Sequence, residues 1–411
     1  LNLRQLDEAI ALCEQTLKRH KATLDSGDFV TLNWLMDCLA LAYRHVGRLD
    51  KALPQAEQAL EKTKATLGPD HPRTLKSMET LAEVYLAAGQ SGKAQLLAEE
   101  MLEKMMAKFG PDHASTLMAT TRLADAYRNA GQVDKALPLF EQILEKKKAT
   151  LGPDHPSTLD AQWRLEVAHY TARQFDKSIP LFEEILRVRL ARFGENHSET
   201  IHTALNLAVN YRAAQRLDEA IALFDEWLPR SRQQLGPDHR HTHYGLSNLA
   251  VTWVQMKAFD RAVPLYRELL AAQSRKLTGD DPDRANTLTS LGQCLLKAGK
   301  PADAEPVFRE CLAIHDKKQP EDWRRFNTQS LLGGSLLGQQ KYAEAEPLLL
   351  AGYEGLKQRE AKIDAYFKVR LPEAAERLVQ LYDTWGQKDK ADEWRKQLEQ
   401  VKAAAKPPDK P

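Results

Sequence analysis

The chain has 411 residues, of which 43% are hydrophobic, enough for a packed interior, and 28% are charged, suited to a large solvated surface. Lys plus Arg number 58 against 57 Asp plus Glu, a net charge of +1, so charge favours neither a nucleic acid nor an anionic membrane as partner. Four scattered cysteines without a CxxC pair argue against a disulfide frame or zinc site, no apolar run reaches the ~18 residues of a membrane span, and no signal-peptide layout opens the chain. A soluble, cytoplasmic protein is expected.

In chain order, LNLRQLDEAIALCEQTL at the start matches the middle of a repeat when Ala9 is aligned with Ala52 and Ala136. Residues 1–28 therefore read as a truncated leading repeat, a second helix without its partner and a piece of a longer protein. Its apolar residues Ile10, Leu12, Cys13 and Leu17 form a face open to self-association. The nonapeptide LGPDHPRTL follows at Leu67, FGPDHASTL at Phe109, LGPDHPSTL at Leu151, FGENHSETI at Phe193 and LGPDHRHTH at Leu235. Eroded copies stand at Leu24 (LDSGDFVTL) and Leu277 (LTGDDPDRA), and from Leu67 to Leu277 every step is 42 residues. A fixed period of this size marks a solenoid. Eight hairpins are expected over 29–358, at about 29–66, 72–108, 114–150, 156–192, 198–234, 240–276, 282–318 and 323–358. An extended helix and a capping hairpin are expected over 359–400, and a disordered tail over 401–411. The segment GGSLLGQQ, Gly333 to Gln340, reads as looser than its counterparts.

One unit shows why each segment is helical. In TLDAQWRLEVAHYTA the apolar residues Leu159, Trp163, Leu165, Val167, Ala168 and Tyr170 recur with helical spacing. After a turn at Arg173 and Gln174, Asp176 is placed to cap a second helix that buries Ile179, Phe182, Ile185, Leu186 and Leu190. Gly194 stops that helix, as Gly68, Gly110, Gly152 and Gly236 do elsewhere, by taking the left-handed conformation. Asp70, Asp112, Asp154 and Asp238 then stand where the next helix needs a cap. Successive Asp-His pairs sit on successive hairpins, about 10 Å apart, and cannot converge on one ion or substrate. Strand signals are absent. An all-α, right-handed α-solenoid of stacked antiparallel hairpins follows.

Within a unit, Leu123, Ala124 and Tyr127, then Gly131, then Ala136 and Phe140 reproduce the tetratricopeptide (TPR) pattern. The long period, the LGPDHP joint and the LNLA and SNLA segments (from Leu205 and Ser247) make the chain resemble TPR proteins of the kinesin-light-chain type. Arg377 to Gln400 is similar to the closing repeat of TPR arrays appended to bacterial serine/threonine kinases, although no Gly-rich loop, HRD or DFG is present. The resemblance implies a protein or peptide partner held by the first helices of each pair. It places Trp34, Asp37, Cys38, Arg44, Glu79, Glu83, Thr121, Arg122, Asp125, Arg128, Asn129, Trp163, Arg164 and Tyr170 on that groove. Further on it places His202, Asn206, Arg212, Tyr244, Ser247, Asn248, Gln255, Asn286, Thr289, Ser290 and Gln293 there.

Asn206 and Asn248 match the second Asn of the kinesin-light-chain NNLA pattern and can hold a peptide backbone by donating and accepting at once. Arg122, Arg128, Arg164 and Arg212 would give the groove a positive cast for an acidic peptide or carboxylate. Trp34, Trp163, Trp227 and Trp253 read as core residues, with Trp163 able to serve in either place. His239, His241 and His243 are the local His cluster, but no Cys or Glu supports a metal site there. No nucleophile motif, cofactor motif or metal set is found, so the expected role is a non-enzymatic interaction scaffold that binds peptides. The other readings are a docking arm of a kinase and a spacer or self-association module.

Overall fold

The computed structural model describes residues 3–22, 29–153, 155–276, 279–363 and 367–405. Among them are nineteen α-helices and no strand. After α1 (Leu3–Ala22) the helices pair as α2 (Phe29–His45) with α3 (Leu49–Leu67), α4 (Pro72–Ala87) with α5 (Ser91–Phe109), and α6 (Ala114–Asn129) with α7 (Val133–Leu151). Then come α8 (Pro156–Thr171) and α9 (Phe175–Phe193), α10 (Ser198–Ala213) and α11 (Leu217–Gln234), and α12 (Arg240–Gln255) and α13 (Phe259–Lys276). The last pairs are α14 (Pro282–Lys297) and α15 (Pro301–Lys318), α16 (Trp323–Gly338) and α17 (Tyr342–Gln358), and α18 (Arg370–Trp385) and α19 (Lys388–Ala405). The chain divides into two compact units, Leu1–Val188 and Arg189–Pro411. Each is an all-α solenoid in which helices pack on their sequence neighbours, and first helices also touch one another, as α2 touches α4 and α10 touches α12.

The repeated small residue explains how tightly a pair closes. Ala52, Ala94, Ala136, Ala220, Ala262, Ala304, Ala345 and Ala391, and Ser178 in their place, are all fully buried. Large side chains such as Phe140, Phe224 and Phe308 fill the space beside them, each burial contributing about 1.5–3 kcal/mol. Tyr85 and Tyr127 donate their hydroxyls to Glu57 and Glu99 on the preceding second helices (2.9 and 3.0 Å). Lys93 and Lys135 cover the same two rings.

The first helix of each pair ends in a Schellman turn. Gln132 N–H bonds Tyr127 C=O and Gly131 N–H bonds Arg128 C=O, with Gly131 at φ 75°. Arg173, Gln215, Lys257 and Gln340 hold the corresponding place at φ 57–63° without being glycine. The second helix ends at Gly68, Gly110 or Gly152, and here φ 78–87° combines with ψ 162–176°. That is not the left-handed helical region expected but one open essentially to glycine alone.

The capping assignment shifts by one residue. His71, His113, His155, His197 and His239 are the N-caps, each ring Nδ1 accepting the backbone N–H two residues on. Asp281 and Asp322 take the same place in later units. Asp70, Asp112 and Asp238 instead face Lys104, Lys146 and Arg275 on the following second helix. Asp154 lies outside the described residues. Asp176 is in the first turn of α9, not before it. Thr74, Thr116 and Thr242 close the motif by donating to the carbonyls of Gly68, Gly110 and Gly236 (2.7, 2.7 and 2.8 Å). The Asp, His and Thr positions of the described LGPDHP-type copies at Leu67 and Phe109 thus each have a structural partner.

Other expectations are corrected by packing. Trp34 and Trp163 are 51% and 40% exposed, whereas Trp227 is buried, and Leu190 is 37% exposed. Ile10 and Leu17 are buried in the first unit's core and only Leu12 is fully open, so the N-terminal face is already covered. No extended helix follows Leu356: α17 stops at Gln358, a 3-10 turn spans Glu360–Lys362, and Ile363 is buried. Arg359 makes that stop, donating to Glu321 C=O (2.8 Å) and lying over the Phe326 ring. The segment around Gly333 is not loose, since a Cβ on Gly333 would meet Leu349 at 2.6 Å and one on Gly338 would meet Pro301 at 2.8 Å. Helix α19 continues through residues 401–405, and the tail beyond lies outside the described residues, as do 23–28 and 277–278 of the two eroded copies.

Candidate functional site

Each first helix is covered on most of its circumference, which leaves one narrow open stripe. On α10, between Ile201 and Asn210, only His202 and Asn206 escape burial. The stripe is a consequence of stacking, because second helices and neighbouring first helices take the other faces. Its chemistry differs between the two units.

In the first unit the stripe is an ion-pair ladder. Arg44 faces Glu83 at 3.3 Å, and Arg122 binds both Glu83 and Glu79, its Nε lying 3.1 Å from Glu79. Glu79 is buried; burial would raise its pKa, but hydrogen bonds from Lys76 and Arg122 outweigh this and hold it below the usual range. Asp125 is buried too, and desolvation pushes its pKa up despite Arg164, Arg128 and Arg122 around it. Arg128 lies 3.3 Å from Asp125, while Arg164 bonds Asp125 and, at 3.0 Å, Asp160. The expected positive cast is therefore mostly consumed inside the protein. Thr121 is buried and bonds Leu117 C=O, Asn129 is exposed, and Tyr170 is half-buried edge-on to Phe175. Asp37, expected on the groove, is buried under a hydrogen bond from Ser77 (2.8 Å), and burial lifts its pKa to about 6. A cavity of about 510 Å³ between α6, α7 and α8 includes Thr121, Arg122, Asp160 and Arg164 in its wall.

The second unit carries a neutral stripe. Tyr244 Oη donates to Asn206 Oδ1 (2.8 Å), and Asn206 Nδ2 lies 3.1 Å from His202 Nε2. Asn248 Nδ2 donates to Tyr244 C=O (2.9 Å), while Arg212 reaches Asn248 Oδ1 only at 3.4 Å. The His202 and His241 rings stack at 4.2 Å and 4°, and His239 meets His241 edge-on. Burial is the main reason that His241 is pulled down to about 3 and His202 below its usual range, so both rings are neutral at pH 7. The His cluster thus caps and positions side chains, and among the described residues no group of three or more His, Cys, Asp or Glu could hold a metal. Further along, Asn286, Thr289, Ser290 and Gln293 line a cavity of about 340 Å³ together with Trp323, Arg324, Asn327, Phe367 and Arg370. These five and His315, which also lines the cavity, lie beyond Gln293, the last position that the family resemblance places on the groove. One more step of 41 residues, from Asn286, lands on Asn327. Phe367 lies in the insertion, where no repeat register could find it.

The family model for the tetratricopeptide repeat matches residues 28–107, 112–191, 199–271 and 242–317. The chain belongs to the tetratricopeptide repeat family. Among solved structures, the nearly identical TPR-like repeats of a kinesin light chain from Podosopora anserina are 27% identical, covering 51% of this TPR chain and 99% of that one, with a TM-score of 0.47. The apo form of RapI is 11% identical with a TM-score of 0.59, covering 90% of this chain and 98% of that one. Aspartyl phosphate phosphatase F from Bacillus subtilis is 13% identical with a TM-score of 0.53, covering 92% and 95%. These two share the fold alone. No curated protein matches this TPR chain. No described helix is long and apolar enough to cross a membrane.

Proposed function

We propose that this TPR array is a scaffold that docks an extended peptide segment on the open stripe of its first helices, with Asn206 and Asn248 as the backbone-holding residues. The observation that carries this reading is that, between residues 201 and 210, α10 leaves only His202 and Asn206 half-buried while the other residues are buried. Asn206 is oriented by Tyr244 and His202, and its amide still has a lone pair and an N–H to offer. A pre-oriented amide loses little entropy on binding and reads a backbone irrespective of side-chain sequence. Ser290 extends the same kind of surface on α14, and Arg122, Asp125, Arg128, Asn129, Trp163, Arg164, Tyr170 and Arg212 are its further candidates. The test is calorimetric titration of peptides selected from a random dodecapeptide display library. The Asn206→Ala/Asn248→Ala chain should bind them at least about tenfold more weakly while remaining folded by circular dichroism at the titration temperature. Equal affinity for both chains would remove the proposal.

A further inference from the structure

Lys146, Lys147 and Lys148 follow one another near the end of α7, and successive residues point about 100° apart around a helix. The fold therefore gives them three different surroundings. Lys146 pairs with Asp112 at 2.7 Å and also donates to Pro111 C=O (3.0 Å). Lys148 pairs with Glu145, one turn back on its own helix, at 3.4 Å. Lys147 instead lines the cavity of about 510 Å³ between α6, α7 and α8. Its amine donates to Ser157 C=O (3.1 Å) and has no carboxylate partner among the described residues.

Two features of that wall bear on the amine. An ammonium taken from water without a counter-ion favours its neutral form, and burial pulls Lys147 below the usual lysine range. Asp160 on α8 opposes this and Arg164 on α8 adds to it, while Asp112 and Arg122 are the other charged groups of the wall. A neutral amine carries the lone pair that attacks a carbonyl carbon, which is how desolvated lysines become nucleophiles. The second feature is apolar. Ala114, Leu117, Met118 and Leu151 line the same space, a surface that holds a short hydrocarbon group out of water.

We infer that Lys147 is a covalent acylation site, its Nζ taking a short acyl group from an acyl phosphate and the acyl chain filling the apolar side of the cavity. The Nζ lone pair attacks the acyl carbon and a C–N bond forms. The C–O bond to phosphate breaks, phosphate leaves with the electron pair, and the surplus proton on nitrogen passes to water. The amide keeps one N–H, enough for the existing bond to Ser157 C=O, and loses the charge that the site leaves unpaired. Acylation thus replaces an unneutralised ammonium by a group that this cavity suits better. The inference is independent of peptide docking.

The test treats the full chain with limiting acetyl phosphate at pH 7.5. Cleavage after glutamate leaves the three lysines in one fragment, and tandem mass spectrometry of that fragment reads each site. Lys147 should be acetylated at least about fivefold faster than Lys146 or Lys148. In the urea-unfolded chain the three should react alike. Ala114→Phe, which sets a ring in the cavity, should slow Lys147 to the rate of Lys148 while circular dichroism shows the fold intact. Equal rates in the folded chain would overturn the site. A lead that survives unfolding would belong to the local sequence, and one that survives the Phe substitution would owe nothing to the cavity; either overturns the inference.

Discussion

The stripe of the first unit and that of the second occupy equivalent positions on first helices, yet one is cross-linked by charge and the other is held by neutral amides and imidazoles. Arg44, Arg122 and Arg164 meet carboxylates of neighbouring helices. Asn206, Tyr244 and Asn248 meet one another. A residue type in the right register therefore does not define a binding surface; what matters is whether its donors are already used. Arg122 and Arg164 tie one first helix to the next, whereas Arg324 and Arg370 pair with Asp322 and Glu373 beside them in sequence.

The sharpest way to break this comparison is to remove an arginine from each unit. Arg122→Ala strips buried Glu79 of its cross-helix partner and should cost about 3 kcal/mol in urea unfolding. Arg212→Ala, which loses a 3.4 Å contact to a neutral amide, should cost under about 1 kcal/mol. Equal losses would show that the ladder is not a structural device.

Acid should separate the units next. His241 has a folded pKa of about 3 against the 6.5 of a free imidazole, so the fold favours the neutral ring. That stabilisation is present above pH 6.5 and is lost as pH falls towards 3, amounting to about 2–3 kcal/mol between pH 7 and 4.5. The groups around the ring pair are His239, Arg240, Arg189 and Glu199. Melting curves of His241→Gln across that range should be flatter than those of the parent; an unchanged slope counts against the stacked pair as its cause.

Asp37 gives the opposite sign in the first unit. Its folded pKa of about 6 lies above the usual 3.8, so its contribution is present below pH 4 and is lost as pH rises through 6. Asp37→Asn should raise stability by about 1–2 kcal/mol at pH 7.5 and leave it unchanged at pH 4, read by thermal melting at both.

The smallest effect lies in the turns. Gln215→Gly and Lys257→Gly relieve a left-handed non-glycine residue and should each stabilise by about 0.5–1 kcal/mol, whereas Gly131→Ala should destabilise by about 1 kcal/mol. If both kinds of change were neutral, the turns would tolerate either residue and φ would not matter there.

The hairpin solenoid and the positions of its turns were legible in the sequence because their causes are local. Glycine in the LGPDHP joint, a small residue at each closest helix approach and apolar residues at helical spacing all act within one unit of 42 residues. Even there, the cap lay one residue from its expected place, because His71 and its counterparts present an acceptor at Nδ1 that is rarely read as a cap. The state of the stripe was decided by tertiary structure. Arg122 and Glu79 are 43 residues apart, so whether that arginine is free cannot be read from its own repeat. The same holds for Asn327, whose buried Oδ1 has no partner among the described residues, and for Phe367, which an insertion outside the repeat register brings to the wall beside Trp323. Repetition specifies how the units stack, while long-range pairing specifies which side chains remain available to a partner.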